Sequence, residues 1–153
     1  MARCETPEDE RNQARIAAHI EQLWRCRLRK LQQWEHIDYA MLPGRVGERI
    51  VAWVEIKCRK ITCRQYPDIM CSVHKWVPGV TRALITRLPY YFIVECMDDG
   101  KIIYHEFDRN LKLRVEWRGR TNRGPTDPDV EPCVMIPVSH FSEVTTGDQS
   151  ELW

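Results

Sequence analysis

Within "RNQARIAAHIEQLW" the apolar residues Ile16, Ile20, Leu23 and Trp24 recur at helical spacing, which predicts an N-terminal helix from about residue 12. The charged residues before it, 1–11, show no such pattern and are expected to fray. "RCRLRKL" then alternates and suits a short strand equally well. "HIDYAML" and "RIVAWVEIKC" flank "PGRVG", whose Pro and two Gly predict a hairpin. After the loop "ITCRQYP", a helix is expected from about Asp68 to Arg87, kinked or split at Pro78-Gly79. "YYFIVECM", "KIIYHEF" and "LKLRVEW" are β-branched or aromatic runs, the first two joined by the tight-turn sequence "DDG". "RGRTNRGPTDPD" reads as a loop, "CVMIPV" as a last strand, and the polar residues 142–153 as a loose tail. Helix, strands, helix, strands is the order of an α/β or α+β domain around a mixed sheet, here spanning residues 12–141.

Composition narrows the class. Of 153 residues, 43% are hydrophobic and 29% charged, which is too apolar for disorder and enough for one core. The net charge of +1 gives no global pull toward nucleic acid or membrane, so any such attraction has to be local. No stretch approaches the roughly 20 apolar residues of a membrane helix, and the N-terminus lacks the apolar segment of a secretion signal. Seven cysteines, an odd number lying partly in core-like strands, suit free buried thiols in a reducing, intracellular compartment.

The candidate chemistry lies in "IVAWVEIKCRK". Glu55 and Lys57 are two residues apart on a strand, so both point to one face. Val51 and Trp53 share that face, so the acid extends an apolar stripe where a solvated face would be polar. With the turn centred between Val46 and Gly47, antiparallel pairing sets Leu42 opposite Val51, Ala40 opposite Trp53, and Asp38 opposite Glu55. Like charges in directly opposed positions repel, and a divalent cation satisfies both. Carboxylate oxygens favour Mg²⁺ or Mn²⁺, and Lys57 would stand beside the metal-bound water. The structural alternative is a solvated strand with an ion pair worth about 0–1 kcal/mol.

Asp38 followed by Glu55-Ile56-Lys57 at the end of an apolar strand resembles the PD-(D/E)XK nuclease superfamily. The element order over residues 12–97 is similar to that family's αββαβ core, with extra strands at the C-terminal end, in the style of its small phage and prophage members. The resemblance implies a restriction-endonuclease-like fold and Mg²⁺- or Mn²⁺-dependent hydrolysis of DNA phosphodiester bonds by an endo- or exodeoxyribonuclease. It implies that Asp38 and Glu55 bind the metal, that the Ile56 carbonyl adds a ligand, and that Lys57 activates the water. Ile37 stands where the family motif has proline. Many members add a glutamate from the first helix, for which Glu21 is the candidate. Many also act as dimers, which makes a homodimer an expectation. The competing function is a module of the same fold that grips nucleic acid or protein without cutting.

Outside the motif, Lys75 on the helix bordering the site is a candidate phosphate contact. Arg118, Arg120 and Arg123, in an Arg- and Gly-rich loop, are candidate DNA-backbone contacts. With no recognition helix legible, DNA would be read by backbone and shape and bound in a salt-dependent way. Trp34 and Trp117 are the candidate stacking surfaces. Cys58, Cys63, Cys71 and His74 lack any standard zinc spacing.

Overall fold

The computed structural model describes residues 5–119 and 130–146. Helix α1 (Pro7–Trp24) is followed by strands β1 (Cys26–Lys30), β2 (Tyr39–Pro43), β3 (Ala52–Arg59) and β4 (Asp68–Ser72). Helix α2 (Val73–Thr86) leads to β5 (Tyr90–Cys96), β6 (Lys101–Glu106), β7 (Arg114–Arg118), β8 (Glu131–Pro137) and β9 (Ser142–Glu143). The main sheet has the order β1-β2-β3-β5-β6-β9, and a second has the order β4-β8-β7. The β3–β5 pair is parallel, as a crossover through β4 and α2 requires, and every other pair is antiparallel. This is the mixed sheet flanked by helices that the sequence predicts.

Two cores cover the two faces of the main sheet. On one, Ile16, Ile20 and Trp24 of α1 pack on Met41, Val54, Ile56 and Ile93. On the other, Trp76 and Ala83 of α2, with Ile69 and Ile136 of the second sheet, pack on Trp53, Phe92 and Val94. Strand β5 is covered on both faces, and all seven of its residues are buried.

Several boundaries differ from the sequence expectations. Helix α1 begins at Pro7, within the segment expected to fray. Thr6 caps it by accepting from the Asp9 N–H, while Asp9 Oδ2 accepts from the Thr6 N–H at 2.9 Å. Residues 68–72 are a strand instead of the start of α2. Ile69 and Cys71 alternate into the core, and β8 supplies the hydrogen-bonding partner. The helix starts only after Ser72, whose side chain accepts from the His74 N–H, and it continues through Pro78 without splitting. β9 lies in the expected loose tail: it pairs with β6, and buried Val144 donates its N–H to the Ile102 carbonyl.

Gly79 fixes how α2 meets the sheet. A Cβ there would lie 2.2 Å from Cζ of Tyr90, a fully buried ring with no room to withdraw. Gly79→Ala is therefore expected to destabilise the protein by about 2 kcal/mol or more, read as a lower urea midpoint at unchanged slope. A midpoint equal to that of the wild type would mean α2 is free to shift.

Candidate active site

The β2–β3 pairing decides where the acids meet. Ala40 lies opposite Trp53 and Tyr39 opposite Val54, the predicted register. The pair Leu42–Val51 lies beyond the ladder, and there the Val51 N–H donates to the Met41 carbonyl. At the other end the ladder stops at Tyr39–Val54, just before Asp38 and Glu55. The β3 edge beyond it is therefore open to a side chain, and Asp38 Oδ2 accepts the Ile56 N–H at 2.9 Å. A strand residue directs its N–H and C=O to the same side, so the Ile56 carbonyl also leaves toward the Asp38 edge.

Both acids are buried, Asp38 at 2% exposure and Glu55 at 0%. Three lysines face them. Lys57 Nζ lies 3.4 Å from Glu55 Oε1. Lys75 Nζ lies 3.7 Å from Asp38 Oδ1 and 3.8 Å from Glu55 Oε1. Lys30 Nζ, at the end of β1, lies 3.8 Å from Asp38 Oδ1. Even so, neither oxygen of Glu55 has a hydrogen-bond partner among the described residues. Burial, followed by the Asp38 charge, pushes the Glu55 carboxyl up to about 8 against the pull of Lys57 and Lys75. Burial pushes the Lys57 amine down, but Glu55 and Asp38 outweigh it and hold it above its ordinary value. A buried carboxylate without a hydrogen bond, beside a second one, is the donor set a hard divalent cation would complete.

Glu21 takes no part in this cluster. Its carboxylate accepts the Leu28 N–H at 3.0 Å and closes the α1–β1 connection instead. The residues that reach the cluster from this end of the chain are Glu5 and Gln13. Gln13 Nε2 donates to Glu5 Oε1 at 3.1 Å, and Lys30 Nζ donates to Gln13 Oε1 at 2.6 Å. Glu5 Oε1 lies 3.7 Å from Lys75. Burial would raise the Glu5 carboxyl, but Gln13 and the lysines 30, 75 and 57 together hold it below the usual carboxylate range. Gln13 carried a signal in the sequence, because it extends the buried stripe Ile16, Ala17, Ile20 and Trp24 backward by one turn. A polar residue on that stripe marks where the helix leaves the core and enters the site.

Glu5, Gln13, Ile56, Lys57 and Lys75 line a cleft of about 310 Å³ between the main sheet and the second one, and the buried Asp38 and Glu55 meet it through their contacts with Lys57 and Lys75. Arg118 and Glu131 form part of its far wall. The Arg118 guanidinium is paired with Glu116 at 2.8 Å, so part of its charge is already answered. Arg120 and Arg123 lie outside the described residues. Trp34 and Trp117 are each 73% exposed, and neither lines the cleft. Among the described residues no set of three or more His, Cys, Asp or Glu is arranged as a metal cage, which leaves Cys58, Cys63, Cys71 and His74 without a zinc geometry. The described cysteines are free thiols, five of the six buried. No described helix is long and apolar enough to cross a membrane.

Among solved structures, a Holliday junction resolvase from the archaeal hyperthermophile Archaeoglobus fulgidus has a similar fold. Its TM-score is 0.54 at 14% identity, over 90% of this chain and 92% of that one. No curated protein gives a sequence match. The sequence pattern of the family described as "Phage putative PDDEXK endonuclease" matches residues 2–144, nearly the whole length. With the restriction-endonuclease-like sheet in place and that match across it, the chain belongs to this phage PDDEXK endonuclease family.

Proposed function

We propose that the protein is a divalent-metal-dependent endonuclease of DNA, with Asp38 and Glu55 as metal ligands, the Ile56 carbonyl as a third donor, and Lys57 beside the attacking water. The observation that carries this is the convergence of Asp38, Glu55 and Lys57: Lys57 Nζ lies 3.4 Å from Glu55 Oε1, Lys75 bridges the two acids, and both Glu55 oxygens are buried without a hydrogen bond among the described residues. Two carboxylates leave most of the coordination shell to water and substrate phosphate, the habit of Mg²⁺ and Mn²⁺. A bound cation would supply Lewis-acid stabilisation of the phosphate and a more acidic water.

The chain's own residues supply the rest. The Ile56 N–H fixes one Asp38 oxygen and leaves Oδ1 toward the cleft. Lys57, held protonated by Glu55 and Asp38, orients the water and stabilises negative charge growing on the phosphate. Lys75 and Arg118 line the same cleft, which supports assigning them to backbone phosphates. The burial around Glu55 keeps bulk water from screening these charges.

The test is DNA cleavage in Mg²⁺ or Mn²⁺ against chelator, on closed circular, linear, single-stranded and four-way branched substrates. Cutting of the closed circle identifies an endonuclease, because a circle offers no end. Lys57→Ala is expected to lower the rate by about 10²–10³-fold, the usual loss of one charge-stabilising donor. Metal-independent binding of DNA, with no cleavage of any substrate, would instead favour a gripping module that does not cut.

A further inference from the structure

Lys75 is the amine that ion-pairs with Asp38, Glu55 and Glu5 alike. Its Nζ lies 3.7 Å from Asp38 Oδ1, 3.8 Å from Glu55 Oε1 and 3.7 Å from Glu5 Oε1. Charge-assisted hydrogen bonds run about 2.7–2.9 Å. The ammonium is therefore centred among the three acceptors and bonded tightly to none. Asp38 Oδ1 and Glu55 Oε1, the two oxygens it faces, are the ones a cation shared by the two acids would use. The backbone beneath it is firmly held. Ser72 caps the helix, Gly79 seats it on Tyr90, and Tyr90 Oη donates to the Lys75 carbonyl at 3.4 Å. The flexible four-carbon stem is the part free to move.

We infer that Lys75 is an exchangeable counter-ion. While no metal is bound it lies against Asp38 and Glu55 and offsets the charge of the acid pair, and it passes to Glu5 when a divalent cation takes its place. This rests on the metal-site reading proposed above. An ammonium and a dication repel strongly if both lie between the same two oxygens, so binding requires Lys75 to withdraw. Glu5 is suited to receive it. It stands before α1, outside the β2–β3 scaffold, held by Gln13 and 4.0 Å from Lys30. Lys75 needs only to give up its two other neighbours to remain paired there. Glu5 is thus a positioning residue that acts through Lys75.

Mn²⁺ binding to the full chain without DNA, measured by calorimetry, tests this independently of activity. Lys75→Gln is expected to bind Mn²⁺ about tenfold more tightly than wild type, because no resident charge has to leave. Glu5→Gln is expected to bind several-fold more weakly, and to have no effect in the Lys75→Gln background. Unchanged or weaker binding by Lys75→Gln overturns the exchange. An equal Glu5→Gln effect in both backgrounds also overturns it, by making Glu5 a ligand in its own right. Lys75→Met, which keeps an apolar stem, carries the same comparison should Lys75→Gln not fold. Mn²⁺ binding that Asp38→Asn leaves intact, or no binding by wild type, would sink the metal site and the exchange together. Intact wild-type binding with a failed Lys75 comparison sinks the exchange alone.

Discussion

Asp38→Asn is expected to lower DNA cleavage by about 10³-fold or more while the protein stays folded. The substitution keeps an oxygen able to accept the Ile56 N–H, so the bond that closes the open end of the β2–β3 pair survives. What it removes is the charge. The cleft loses one of two buried carboxylates that attract a dication, and the metal's contribution to water acidity and phosphate stabilisation goes with it. Stability should fall by less than the roughly 3–5 kcal/mol lost when a fully buried ion pair is broken, because both lysines keep access to solvent. Lys30 and Lys75 lose an attraction at 3.8 and 3.7 Å, while Glu55 loses a repulsion. The check is a rate assay in Mn²⁺ together with a thermal melt. Cleavage within tenfold of wild type in a folded variant would remove Asp38 from the chemistry.

Glu55→Gln should stabilise the metal-free protein, and by more as pH rises. The Glu55 carboxyl has an ordinary value of 4.5 and is pushed up to about 8 in the fold, first by burial and then by Asp38. Between those values the unfolded chain has released its proton and the folded chain still holds it. The folded state then binds more protons, so stability falls as pH rises through this window and levels off above about 8. The limiting slope is about 1.4 kcal/mol per pH unit for one fully linked group. Gln carries no proton to lose, so this slope vanishes. By pH 8 the variant should be more stable than wild type by on the order of 2–4 kcal/mol, equivalent to several degrees of melting temperature. Urea melts at pH 5 and pH 8 in chelator measure it. Parallel pH responses in the two proteins would show that Glu55 is ionised throughout. The same linkage makes divalent-cation affinity rise with pH toward about 8, because Glu55 must shed its proton to ligate.

The cost of burying two acids side by side is the physical counterpart of the proposed function. A carboxylate buried beside another is unfavourable until a cation arrives, and the fold holds it there through two cores that have no other stake in its charge. Gly79 and Tyr90 bring α2 down onto that position, which places Lys75 among the acids.

The β2–β3 hairpin was legible in the chain because period-two patterning and a Pro- and Gly-bearing turn are local facts. They set the register, and with it the approach of Asp38 to Glu55 and Lys57. The order of helices and strands followed from equally local periodicities. Residues 68–72 resisted the same treatment, since "DIMCS" becomes a strand only because β8, more than sixty residues later, supplies its hydrogen bonds. The start of α1 was written in "TPED", a capping box with proline at the first helical position, and was missed amid the surrounding charge. Glu21 and Glu5 are both acids beside an apolar helix. Which one enters the site depends on how the helix end lies against β1 and α2, a matter of packing that spacing does not encode. Lys30 and Lys75 likewise reach the same carboxylate from strands and helices far apart in sequence. Residue type and alternation determined the acid pair and its lysine, because neighbouring strands obey short-range geometry. The surrounding counter-charges were decided only in three dimensions, because charges acting over 3–4 Å take their partners from whichever elements the cores press together.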